Sequence, residues 1–98
     1  MKKEDTELST DLGNKLKNLR QERELTLDMV IYDMNKKFNI EMSKGHLSKW
    51  ENGKNIPSLY YAKYLCLYYG ISMDYLLGLT DKRTPVDLLI GGKKNESH

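Results

Sequence analysis

Between Lys36 and Lys54 the chain carries five lysines, with His46 and Asn52 among them, against only Glu41 and Glu51. Ammonium groups are donors, suited to anionic oxygens and to acceptor edges of bases. The residue types for other chemistries are poorly supplied. Cys66 is the single cysteine, and His46 and His98 are the two histidines, too few for a metal set. One cysteine forms no internal disulfide, which agrees with a reducing compartment. No Ser–His–acid or Cys–His arrangement and no Gly-rich phosphate loop stands in the chain. An enzyme is therefore the least supported reading, and neither catalytic residues nor cofactors nor metals are expected. Cys66 reads as a buried structural thiol, and Trp50 as core.

With 98 residues the chain is long enough for one domain and too short for two independent cores. It holds no apolar run near the length of a membrane span. Met1-Lys2-Lys3-Glu4-Asp5-Thr6-Glu7 lacks the apolar stretch of a secretory signal. No membrane association and a cytoplasmic location are the resulting expectations. The net charge is only +2. That is a weak argument for a nucleic-acid partner, so the distribution of charge matters more than its sum.

The cations of 36–54 need helices to position them. Residues 1–8 are polar and aperiodic and read as a flexible leader. A first helix is expected from Ser9 or Thr10 to about Arg23, with Leu12, Leu16 and Leu19 on one face. Thr26 caps a second, and Leu25 and Val30 occupy the two positions of a hydrophobic staple. Val30, Met34 and Phe38 continue its apolar stripe. Asn39 to Met42 form a connector, anchored by Ile40 and Met42. Ser43 caps a third helix that ends at Asn52, with Gly53 in the left-handed stop position. Ser58 caps a fourth, with Leu59, Ala62, Leu65, Cys66 and Tyr69 facing inward. Ser72 caps a short fifth, Met73 to Leu77. The fold class is all-α: five short helices around one core over residues 9–79. Residues 80–98 form a tail with a small apolar cluster, Val86, Leu88, Leu89 and Ile90.

Leu-Thr at 25–26, Ser-Lys-Gly-His-Leu-Ser-Lys-Trp-Glu-Asn-Gly at 43–53 and Ile-Pro-Ser at 56–58 together resemble the Cro- and repressor-type helix-turn-helix family. Leu-Gly at 12–13, Leu-Arg at 19–20 and Gly-Ile-Ser-Met-Asp-Tyr-Leu-Leu-Gly at 70–78 extend the resemblance over roughly residues 10–80. The order and spacing of these motifs are specific where each alone is weak. The resemblance implies the compact five-helix bundle of a phage-repressor DNA-binding domain, with the helix-turn-helix at the second and third helices. One departure lies between Met34 and Ser43, where the connection is longer than the family's tight turn. Lengthening is inexpensive, about 0.6 kcal/mol per doubling of a loop.

Physical reasoning agrees with that resemblance. The major groove of B-DNA admits one α-helix and shows a distinct donor and acceptor pattern for each base pair. In the third helix Leu47 and Trp50 can face inward, which leaves Ser43, Lys44, His46 and Lys49 on the side available to DNA. By resemblance, Ser43, Lys44, Gly45 and Lys49 are the positions turned toward bases, with His46 beside them. Gly45 lets the first turn sit close to the groove. The resemblance implies that the corner after the third helix and the start of the second grip phosphates, so Asn52, Lys54, Asn55 and Thr26 are the candidates; such contacts position without reading sequence. Lys36 and Lys37 on the lengthened connection fit either backbone phosphate or a solvated loop. Thr26 serves chiefly as a cap, and Leu27 stands where the family often carries a phosphate-binding Gln. The resemblance pairs Arg20 with Glu51 across the core.

One short helix reads few bases, so a homodimer on half-sites about 34–36 Å apart is expected. By resemblance its contact is Met73, Tyr75 and Leu76 of the fifth helix, with Leu88 to Ile90 a second candidate. The expected activity is sequence-specific binding of double-stranded DNA by a transcriptional regulator, a repressor on a two-fold operator. A phage or mobile-element repressor, a restriction–modification controller and an antitoxin component all fit that description. The rival is a protein-interaction module that keeps the fold, its partner meeting Tyr60, Tyr61, Tyr64 and Tyr68.

Overall fold

The computed structural model describes residues 3–84, and these fold into five α-helices: α1 (Lys3–Glu22), α2 (Leu27–Phe38), α3 (Lys44–Glu51), α4 (Leu59–Tyr69) and α5 (Met73–Leu77). There is no strand among the described residues. The tail cluster Val86 to Ile90 and His98 lie outside them.

The cap signals act where side-chain oxygens reach the free N–H groups of a first turn. Thr26, Ser43, Ser58 and Ser72 each accept from the backbone N–H three residues on, at Met29, His46, Tyr61 and Tyr75. Left-handed residues end the helices: Asn39 after α2, Gly70 after α4 and Gly78 after α5. Glu24 also takes a positive φ, 56°, between α1 and α2.

α1 starts earlier than expected. No Gly or Pro interrupts the sequence from Lys3 to Leu12, and the helix runs through it, so most of the anticipated leader is helical. Ser9 is no cap: it is buried mid-helix, where its carbonyl borders Gly53. Leu12, Leu16 and Leu19 enter the core with Val30, Met34, Leu47, Leu65 and Leu76. Each such side chain contributes about 1.5–3 kcal/mol when fully removed from water.

Leu59 is a second correction. It stands 78% exposed, whereas Ala62, Leu65, Cys66 and Tyr69 are buried as their spacing requires. Pro57, two residues earlier, is buried, whereas Ser58, Leu59 and Tyr60 at the start of α4 are all exposed.

α3 is the central element. It packs against α1 and α2, and α1 and α4 carry α5. The approach to α1 is close because of Gly13, where a Cβ would collide with the Trp50 carbonyl oxygen and stand 3.1 Å from that of Glu51.

Candidate nucleic-acid interface

Leu47, Trp50 and Glu51 of α3 are buried, and its other face is open: Ser43, Lys44, Gly45, His46 and Lys49 are all exposed. The glycine has no internal reason to be there. A Cβ at Gly45 would meet only the Ser43 Oγ, at 3.8 Å. The fold thus tolerates a side chain where the sequence omits one, and the free space lies on the outer face.

His46 is held on three sides. Its N–H donates to Ser43 Oγ at 3.1 Å, and its Nδ1 accepts from the Ser43 N–H at 3.4 Å. Its ring lies nearly parallel to Trp50, centroids 5.8 Å apart, with Tyr61 at the same distance. The Tyr61 hydroxyl donates to the Glu41 carbonyl at 3.2 Å. This aromatic group ties the start of α3 to α4 and to the connector. With Nδ1 engaged as an acceptor, Nε2 carries the ring proton and is a donor.

Glu51 is removed from the outer face altogether. Arg20 grips it with two prongs, Nε to Oε2 and Nη2 to Oε1, each 2.8 Å. The Glu51 side chain is 2% exposed, and Nη1 of Arg20 donates to the Leu25 carbonyl at 2.8 Å. The bond to Glu51 raises the Arg20 pKa against the opposing effect of burial. Two consequences follow. α1 is clamped to α3 and to the turn before α2, and the outer face of α3 keeps only cations, Lys44 and Lys49.

The connector is shaped by a residue that spacing did not reveal. Asn35 Nδ2 donates to the Met42 carbonyl, and the Met42 N–H donates back to Asn35 Oδ1, both at 2.8 Å. One amide side chain thereby replaces a pair of strand-like hydrogen bonds. Left-handed Asn39, which no β-branched residue would replace easily, and buried Ile40 and Met42 complete the turn. Half of the stretch between Met34 and Ser43 is helix, since α2 runs to Phe38.

At the far end of α3, Asn52 Nδ2 donates back to the Ser48 carbonyl at 2.8 Å, and Lys54 and Asn55 are exposed. Lys49 and Lys54 stand outside the ion pairs of the described residues. A small polar cleft, about 150 Å³, lies between α1 and this corner and brings Lys17 beside Asn52. Nothing in the helical spacing of Lys17 marked it. Thr26 is exposed, its hydroxyl accepting from the Met29 N–H at 3.1 Å. Lys36 and Lys37 are not gathered with the rest. They follow the start of α2 by about 14–15 Å of helix, with Lys36 bonded to the Tyr32 hydroxyl and Lys37 over the Phe38 ring.

Two expectations about partner surfaces change. Leu76 is fully buried in its own core and cannot face a second subunit, while Tyr75 lies between Lys15 and Arg83. Of the four α4 tyrosines expected to meet a partner, Tyr61, Tyr64 and Tyr68 are used internally, Tyr64 against Phe38 and Tyr68 through a 2.8 Å bond to Asp33. Tyr60 alone of them is exposed.

No described helix is long and apolar enough to cross a membrane. No curated protein and no solved structure matches the chain. A helix-turn-helix family profile matches residues 16–76, from the middle of α1 to α5. That span takes in Arg20, the capped pair α2 and α3, and the open face of α3. The chain belongs to the helix-turn-helix family of the Cro and C1 repressor type, a DNA-binding class of domain.

Proposed function

We propose that this protein is a sequence-specific transcriptional regulator, a repressor that binds a two-fold operator as a homodimer. The observation that carries the reading is α3: apolar and anchored on one side, short, polar and cationic on the other. A helix of that kind fits the major groove, where lysine donates to guanine O6 and N7. Ser43, Lys44, His46 and Lys49 reach toward bases, and Gly45 permits close approach. Thr26, Asn52, Lys54 and Asn55 take phosphates on either side, with Lys36 and Lys37 peripheral. Its place of action is the cytoplasm, and Met73 and Tyr75 are the part of the expected dimer contact that the core leaves available.

Selection of bound duplexes from a random pool, followed by titration at several salt concentrations, tests this. Affinity falls steeply with salt as counterions are released. Lys49→Ala relaxes the preferred base at particular positions, a bidentate contact being worth about 1–3 kcal/mol. Binding that selects no sequence and ignores salt refutes the reading. A protein-interaction or antitoxin role then gains support, since Leu59, Tyr60 and Leu67 leave apolar surface on α4.

A further inference from the structure

An acid stands at the corner where α2 and α3 begin. Lys44 Nζ lies 3.3 Å from Asp28 Oδ1 and 3.4 Å from Oδ2, so the ammonium straddles the carboxylate. Both side chains are open to solvent, 57% exposed for Lys44 and 75% for Asp28. The two residues do not serve their helices equally. Asp28 is in the first turn of α2, where a negative charge is favoured; Lys44 is the first residue of α3, where a positive one is not. Helix stability therefore explains Asp28 but not Lys44. The start of the first helix of the motif also approaches the DNA backbone when the second enters the groove. There a carboxylate works against phosphate binding, so the helix stabilisation it gives is set against a cost in DNA affinity.

We infer that Asp28 is a specificity-determining positioning residue, which aims Lys44 at base edges and withholds it from phosphates. An ammonium has three donors. One directed to Asp28 leaves two for the O6 and N7 acceptors of a guanine, and the carboxylate limits the arc over which the long side chain can swing. On unrelated DNA the same carboxylate removes one effective positive charge, so non-specific binding is weakened. Discrimination is gained from both sides. The inference rests on the reading of α3 as the base-reading helix.

The test uses the full chain with two probes, a duplex selected by the wild-type protein and an unrelated duplex of equal length. Asp28→Asn is expected to bind the unrelated duplex more tightly, with a salt slope steeper by about 0.9. Its ratio of specific to non-specific affinity is expected to fall on the order of tenfold, the scale of one good base contact. Asp28→Glu, which keeps the charge, restores much of the ratio. In a Lys44→Gln background, Asp28→Asn leaves the ratio unchanged. An Asp28→Asn ratio equal to wild type, or an equal loss in the Lys44→Gln background, overturns the inference while leaving the DNA reading intact. Wild-type protein without sequence preference overturns that reading instead, and circular dichroism confirms that each variant is folded.

Discussion

At Gly45 the only neighbour of an added methyl group is Ser43 Oγ, whereas at Gly13 it is the backbone of Trp50 and Glu51. The first glycine is a cost the helix bears without internal return, about 1 kcal/mol against Ala. Gly45→Ala is therefore expected to raise the melting temperature and to weaken binding of the selected duplex. A variant that is more stable and binds undiminished would remove Gly45 from the interface. Gly13→Ala is expected to destabilise by about 1–3 kcal/mol, because backbone atoms of α3 cannot yield as a side chain would. Arg20 works at the same scale with larger effect. Arg20→Ala strands Glu51, itself 2% exposed, and is expected to cost about 3–5 kcal/mol. Denaturant titration measures it, and the preferred sequence of whatever remains folded should be unaltered.

Among the elements, the connector between α2 and α3 decides how the reading helix is presented. It is only five residues, Asn39 to Ser43, yet it carries a left-handed Asn39, two buried side chains and the Asn35 bracket on Met42. Asn35→Ala removes two hydrogen bonds and leaves the half-buried Met42 backbone groups unpaired, a loss of about 1–3 kcal/mol. Asn35→Asp keeps the acceptor and loses the donor, so it should fall between. Hydrogen exchange at the Met42 amide reports the change locally: faster exchange in Asn35→Ala with α4 amides still protected is the expected pattern. Uniform loss of protection would assign Asn35 to global stability instead.

Over the whole molecule, burial makes stability depend on pH at the alkaline end. It pushes the Cys66 thiol up from 9.0 to about 11. A value raised in the folded state means stability that is intact below the unfolded thiol's value and is lost as pH rises from about 9 to 11. Tyr68, pushed up to about 12 by burial and then by its bond to Asp33, and Tyr69, raised chiefly by burial, extend the loss above pH 10. Thermal melts from pH 7 to 11 should show a decline that begins near 9, and Cys66→Ala should delay it toward the tyrosine range. The acid side has the opposite sign. Arg83, donating two bonds to Glu22 at 2.9 and 2.7 Å, holds that carboxyl below its usual 4.5. This contribution is present above the unfolded value and is lost as pH falls through the folded one. Arg83 also closes the end of the bundle, since its carbonyl accepts from the Ser72 N–H at 2.7 Å.

Much of the helical framework was legible in the sequence, because caps, stops and 3.6-residue stripes act over a few neighbouring residues. Thr26, Ser43, Ser58 and Ser72 announce four of the five helices, and Gly70 and Gly78 end two of them. The inward stripe of α1 and the buried pair Ile40 and Met42 follow from period alone. What remained hidden depends on partners distant in the chain. Ser9 has the chemistry of a cap but lies in the interior of a helix, and Leu59 has the period of a core residue but stands beyond the neighbours that would cover it. Asn35 has no local signal, because its partner is seven residues away across a turn. The same holds at the open face of α3. Its polar and cationic composition was written in residues 43–49, whereas the approach of Asp28 to Lys44, sixteen residues apart, exists only once α2 and α3 are packed.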